Sequence, residues 1–285
     1  MKVIDATKDM LSVFEAGQFS MDKWKSYMET SVPQAKELCL QDMEDSIATG
    51  LSWEEDYLPV LNAVPFNIDK VNEIIQSFYK VTEKLAETIS EKFGKSLDAD
   101  IILYLGLCNG AGWVTTIDKR TTVLLGIEKI IELNWCGIDA MNGLIMHELG
   151  HVYQAQYGIL HRETDSLRDQ FLWQLFTEGI AMVFEQEIVG DPEYFHQDDG
   201  GWKSWCSQNI GLIRQSFYND LDTMTKENQR YFGDWVDFCG YGDVGYYLGT
   251  RFVRFLLGSD HFDNIISYDM DDVRKGFGMF LEFKL

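Results

Sequence analysis

Residues 144–152 read LIMHELGHV. Leu144, Ile145, Met146, Leu149 and Val152 give the segment the character of a buried helix, yet His147, Glu148 and His151 stand inside it. Burying three such groups without partners is costly, so any fold that contains this helix must supply something for them to bind. On a helix, His147 and His151 project from one face about one turn apart. Two imidazoles at that spacing can grip one metal ion, and Glu148 between them can reach a coordinated water. Zinc lowers the pKa of such a water toward about 7, and a glutamate within reach can take its proton. The alternative is two core histidines bonded to backbone or carboxylate, with Glu148 on a solvated edge. Satisfying all three groups in that way needs several separate partners.

The remainder of the chain bounds the class. Its 285 residues are enough for one large domain or two modest ones, and 46% hydrophobic content reads as a packed globular protein. The formal net charge of −22 repels nucleic acid and anionic membrane surfaces, so neither is expected as a partner. The opening MKVIDATKDMLSVFEAGQF lacks the apolar run and cleavage site of a signal peptide. No uncharged apolar stretch approaches the roughly 20 residues needed to span a bilayer. Five cysteines (Cys39, Cys108, Cys136, Cys206 and Cys239) are spread without a CxxC pair. They read as reduced thiols, which points to a soluble, cytoplasmic protein.

Along the chain, residues 1–95 read as an N-terminal helical region and 96–285 as the part that carries the chemistry. The clearest early helix runs from about Asn67 to Phe93, with apolar residues at helical spacing and Gly94 as its stop. After Lys95, the runs ADIILYLGL, GWVTTI and TTVLLGI read as strands of a small mixed or antiparallel sheet. Helices return at about 139–157, stopped by Gly158, and at about 166–188, stopped by Gly190-Asp191-Pro192. A last long helix is expected near 244–257. The order helices, small sheet, helices predicts an α+β fold.

A third ligand is needed to close a metal site. The pattern H-E-x-x-H-x-x-G-x-x-H is excluded, because Gln154 and Tyr157 stand at its later positions. Glu178, in LWQLFTEGIAMVFEQEI, falls on the core-facing side of the next helix, beside Phe171, Leu175 and Met182. Gly179 and Ala181 next to it would let that helix approach the first closely. A salt-bridged or edge glutamate is the competing reading of Glu178. Glu185, two turns later, is the substitute ligand, or else a partner of the ligands.

His147-Glu148-x-x-His151 followed by Thr177-Glu178-Gly179-Ile180-Ala181 resembles the gluzincin metallopeptidases, the thermolysin-like superfamily, and within it uncharacterised predicted bacterial zinc-dependent proteases. The resemblance covers roughly residues 98–257. It implies a zincin-like fold with zinc (Zn2+) on His147, His151 and Glu178, and Glu148 as general base in the hydrolysis of a peptide or protein substrate. It also implies a sheet edge beside the active-site helix where an extended peptide adds as a strand. TTVLLGI (121–127) is the candidate for that edge. DVGYYLGTRFVRFL (243–256) is similar to a Gly-Tyr-x-x-Gly stretch of related proteases, which points to Tyr246, with Tyr247 next, as the donor to the oxyanion. His161, His196 and His261 are alternatives for that role, and packing at a helix start is the competing reading of the tyrosines. The Gly-x-Met-Glu-Asn segment of the aminopeptidase branch is absent. The nearest glycine cluster, CNGAGW (108–113), has no acidic residue and reads as a turn between strands. An endopeptidase or oligopeptidase is left.

Two rivals remain. Glu148-Leu-Gly-His151 and Glu193-Tyr-Phe-His196 are both E-x-x-H pairs, the kind found with two further glutamates in di-iron four-helix bundles. Asp191-Pro192 and the following DDGG leave little room for the second helix. The other rival is a catalytically inactive zinc-binding protein of the same fold, with a binding or regulatory role.

Overall fold

Val3 and Ile4 lie in a strand, β1 (Lys2–Asp5), although the surrounding region reads as helical. The computed structural model describes residues 1–164, 166–233 and 235–284. The fold is α+β, and the chain groups into two units, Met1–Glu148 and Leu149–Leu285. The change of character near residue 95 is a change of element type, from the last early helix to the first long strand.

In the first unit, β1 and a two-residue-strand hairpin, β2 (Phe14–Glu15) and β3 (Gln18–Phe19), precede the helices α1 (Met21–Ser31), α2 (Lys36–Ala48) and α3 (Leu58–Ala63). The region 1–95 is therefore not purely helical. The amphipathic run from 67 to 93 is two helices, α4 (Ile68–Thr82) and α5 (Leu85–Phe93), which break at Glu83-Lys84 and end on a left-handed Gly94. The strands β4 (Asp100–Tyr104), β5 (Gly112–Ile117) and β6 (Arg120–Gly126) match the three β-branched runs. A short α6 (Ile127–Glu132) follows.

The sheet order is β1-β4-β6-β5, with β1, β4 and β6 parallel and β5 antiparallel to β6. The mixed sheet is as expected, but its edge is not. The sequence points to 121–127 as the edge, whereas β6 lies between β4 and β5 and the edge beside it is β5. Strand order depends on which strand pairs with β4, and local sequence does not reveal that. A tight turn at Asp118-Lys119, both at positive φ (49° and 65°), closes the β5–β6 hairpin. Ile101, Leu103, Val123 and Leu125 are fully buried. Tyr27 Oη donates to Ala6 O and accepts from Leu105 N, while Trp24 Nε1 donates to Leu105 O, so α1 is fastened to the ends of β1 and β4.

The helix α7 (Ile138–Tyr157) carries the HELGH segment, and the boundary between the units falls within it. In the second unit, α8 (Leu167–Val189) starts where Ser166 Oγ accepts from Asp169 N and stops at a left-handed Gly190 (φ 81°). The remaining helices are α9 (Trp202–Gln208), α10 (Ile210–Asp220), α11 (Val244–Leu257), α12 (Phe262–Ile265) and α13 (Met270–Glu282). α11 occupies the place expected of the last long helix, but α13 follows it, begun by a capping box in which Asp269 and Asp272 satisfy each other's backbone N–H groups. α8 and α11 touch backbone to backbone. A Cβ on Gly249 would stand 2.5 Å from Leu175 O, and one on Gly179 would collide with Gly249 O. No helix among the described residues is long and apolar enough to cross a membrane.

Candidate metal centre

α7 is buried along its middle two turns, so its polar groups meet protein rather than water. His147 is 4% exposed and Glu148 5%, and the His151 and Glu178 side chains are 13% and 16% exposed. His151 faces α8 because α7 comes very close to that helix at the preceding residue. A Cβ on Gly150 would lie 2.7 Å from Ala181 Cα and 3.1 Å from Ala181 O. Gly150 thus permits the close approach of α7 to α8, which it meets at the Ala181 backbone. Gly179 serves a different contact, the one with Gly249 of α11.

With the helices that close, His151 Nε2 and Glu178 Oε2 are 3.3 Å apart. His147 stands one turn earlier on the same helix, and one ligand atom from each of His147, His151 and Glu178 lies within 4.8 Å of the others. Two nitrogen or oxygen donors held at about 2.0–2.1 Å around a tetrahedral zinc are roughly 3.3–3.4 Å from each other. The His151–Glu178 separation fits that geometry, and two imidazoles with one carboxylate are a donor set that suits zinc. The same separation serves an imidazolium–carboxylate ion pair, so metal content is the deciding measurement.

Glu148 lies against the start of the edge strand. A Cβ on Gly112 would stand 2.7 Å from Glu148 Oε1 and 2.8 Å from its Cγ. Ala111 O accepts from Gly126 N, which sets the alternation of the β5–β6 ladder. The backbone polar groups of Gly112, Val114 and Thr116 consequently point away from β6, toward the side where the described residues place no further strand.

The other candidates fall elsewhere. Glu185 does not join the cluster. Both of its oxygens lie on Nδ1 of His196, at 2.9 and 3.0 Å, and both residues are buried. Tyr246 stands in the first turn of α11 with its ring edge-on to Phe232 at 5.9 Å. Tyr247 is buried, and its hydroxyl accepts from Arg251 Nη2 at 2.9 Å. Arg251 in turn grips both oxygens of Glu193, at 2.7 and 2.6 Å. His161 and His261 are exposed. The second E-x-x-H pair is not helical: residues 191–198 form turns, with Glu193 on Arg251 and His196 on Glu185. Those partners use the groups that a di-iron site would need.

Two residues in or against the turn that leads into β5 escape the sequence reading. Gly112 is visible only as one of three small residues in CNGAGW. Glu128, in the apolar run LLGIEKII, is 1% exposed and lies against the same loop. A charged residue inside an apolar run was the available signal. All five cysteines are free thiols. The chain shows no significant match to any family model, curated protein or solved structure.

Proposed function

We propose that this chain is a zinc-dependent metallopeptidase of the gluzincin type, hydrolysing peptide bonds within a peptide or protein substrate. The observation that carries the reading is the convergence of His147, His151 and Glu178 within 4.8 Å, with Glu148 on the same helix as the two histidines. Bound by these three side chains, zinc supplies a Lewis acid for the scissile carbonyl and a water of lowered pKa. Glu148 accepts a proton from the attacking water on a carboxylate oxygen and returns it to the leaving amine nitrogen. Its low exposure excludes bulk water and strengthens its interaction with the developing charge.

The free side of β5 is the proposed docking edge for substrate. An extended peptide there would pair with the outward backbone groups of Gly112, Val114 and Thr116, and the Gly112 end brings it beside Glu148. Tyr246 is the proposed donor to the oxyanion. Tyr247 is less suited, since its hydroxyl already serves Arg251. The cysteine pattern and the acidic composition support a soluble protein of the cytoplasm without nucleic-acid or membrane partners.

The test is elemental analysis alongside peptide hydrolysis, on wild type, Glu178→Ala and Glu148→Gln. The reading expects about one zinc per chain in wild type and much less in Glu178→Ala. It expects Glu148→Gln to keep zinc and lose hydrolysis by a factor on the order of a thousand or more. Zinc in all three with no hydrolysis by wild type would favour the inactive zinc-binding protein. Two irons per chain would favour the di-iron reading, and no metal would remove the enzyme.

A further inference from the structure

The segment 105–111 joins β4 to the edge strand β5 and holds an unusual backbone. Cys108 has φ 57° and Gly110 has φ 145°. Left-handed conformation at a non-glycine residue costs energy and persists only where its surroundings enforce it. Here the enforcement comes from two side chains. Glu128 Oε2 accepts from Gly106 N at 2.9 Å, and Oε1 accepts from Cys108 N at 3.0 Å. Asn109 Oδ1 accepts from Leu107 N at 3.1 Å, while its Nδ2 donates to Cys39 O and to Asp42 Oδ2.

Glycines let this backbone sit directly on carboxylates at both ends. A Cβ on Gly106 would lie 2.6 Å from Glu128 Oε1, and one on Gly126 would lie 2.7 Å from Gly110 O and 3.0 Å from Glu128 Oε1. At the far end, a Cβ on Gly112 would lie 2.7 Å from Glu148 Oε1. A buried carboxylate is an expensive way to satisfy two amide groups, and burial pushes the Glu128 carboxyl up despite its backbone donors. What it provides is a fixed path for the backbone that ends on Glu148.

We propose that Glu128 is a positioning residue for Glu148: by holding Gly106 and Cys108 it fixes the 105–111 loop, so that Gly112 presses on the Glu148 carboxylate and confines it. The proposal rests on the peptidase reading, because it assigns Glu148 a task that needs confinement. An error of about 1 Å in placing a reacting group can cost on the order of a hundredfold in rate.

The experiment uses the zinc-loaded full chain, a library of internally quenched unstructured peptides, and amide hydrogen exchange. Kinetics are followed on the library member that wild type cleaves fastest. Glu128→Gln keeps the shape but turns an amide NH2 toward a backbone N–H. It is expected to retain wild-type zinc and to exchange at least about tenfold faster across 105–113, with α7 unchanged. Its kcat is expected to fall roughly 10- to 100-fold, with KM within about threefold. Gly112→Ala moves Glu148 from the other end, and is expected to give the same fall in kcat without faster exchange in the loop. Coupled through one contact, the double variant falls no further than the worse single one. Wild-type kcat in Glu128→Gln, loss of zinc from it, or multiplicative falls in the double variant would each overturn the proposal while leaving the peptidase reading intact. Wild type no faster than Glu148→Gln on the whole library would instead sink that reading and the proposal with it.

Discussion

Gly150 and Ala181 bring α7 and α8 within backbone contact: a single added methyl at Gly150 would meet Ala181 Cα at 2.7 Å. Neither atom belongs to a flexible side chain, so the helices themselves must move to admit it. Gly150→Ala gains about 1 kcal/mol of helix propensity, but overpacking a tight contact typically costs about 1–3 kcal/mol. Zinc affinity is expected to fall at least tenfold, because His151 and Glu178 are donated by the two helices being parted. Metal-buffered titration with thermal unfolding checks it. Unchanged affinity together with a higher Tm would show that the spacing of these helices does not set the site.

Removal of metal should destabilise the fold through the same groups. A ligand at a thousandfold excess over its Kd stabilises a protein that binds it only when folded by about 4 kcal/mol. Chelation is therefore expected to lower the wild-type Tm by several degrees and to leave Glu178→Ala nearly unmoved. Equal shifts in the two proteins would place the chelator's action elsewhere.

Tyr246 and Tyr247 separate by substitution with phenylalanine. Tyr246→Phe should lower kcat by roughly 10- to 1,000-fold at unchanged KM if its hydroxyl meets the oxyanion. Tyr247→Phe removes the acceptor of Arg251 and should cost about 1 kcal/mol of stability with little change in kcat. Steady-state kinetics and denaturant melts on both proteins decide, and a reversed pattern would exchange the roles.

Acid sensitivity should trace to α8 and α13. Arg274 holds Asp169 with Nε on Oδ1 at 2.9 Å and Nη2 on Oδ2 at 2.8 Å. These bonds draw the Asp169 carboxyl below its ordinary range. The stabilisation is fully present above about pH 4, the unfolded pKa, and is lost as pH falls through the lower folded value. Arg274→Ala is expected to cost about 1 kcal/mol at neutral pH, since the half-exposed guanidinium is screened by solvent. It should cost nothing once Asp169 is protonated. A penalty that is constant down to pH 2 would show that Arg274 acts through packing alone.

The sequence made some of this legible and hid the remainder for physical reasons. Helices α7 and α8 announce themselves by apolar runs with Ser166 and Gly190 at the ends of the second. The polar trio in α7 and Glu178 in α8 are visible because they contradict those runs. The break between α4 and α5 is invisible, since no glycine or proline marks Glu83-Lys84 and the apolar spacing continues across it. The last helix carries its own signals: Asp269 and Asp272 form its cap, and Val273, Phe277 and Phe280 form its buried stripe. The edge position of β5, the contact of Gly112 with Glu148 and the inward turn of Glu128 all depend on pairings between distant segments, which leave no periodic trace.

The parallel pairing of β1 with β4 has a consequence in time. Lys2 meets Asp100 and Asp5 meets Leu103, whereas β5 and β6 are joined by two turn residues. Closing a loop of about a hundred residues carries an entropy cost that the short hairpin escapes, and contacts so distant in sequence form late. As the chain leaves the ribosome, Val3 and Ile4 must wait without their neighbour until Tyr104 has emerged. Although β4 leaves before either strand of the hairpin, the β5–β6 pair closes over two residues and is expected to form ahead of the β1–β4 pairing.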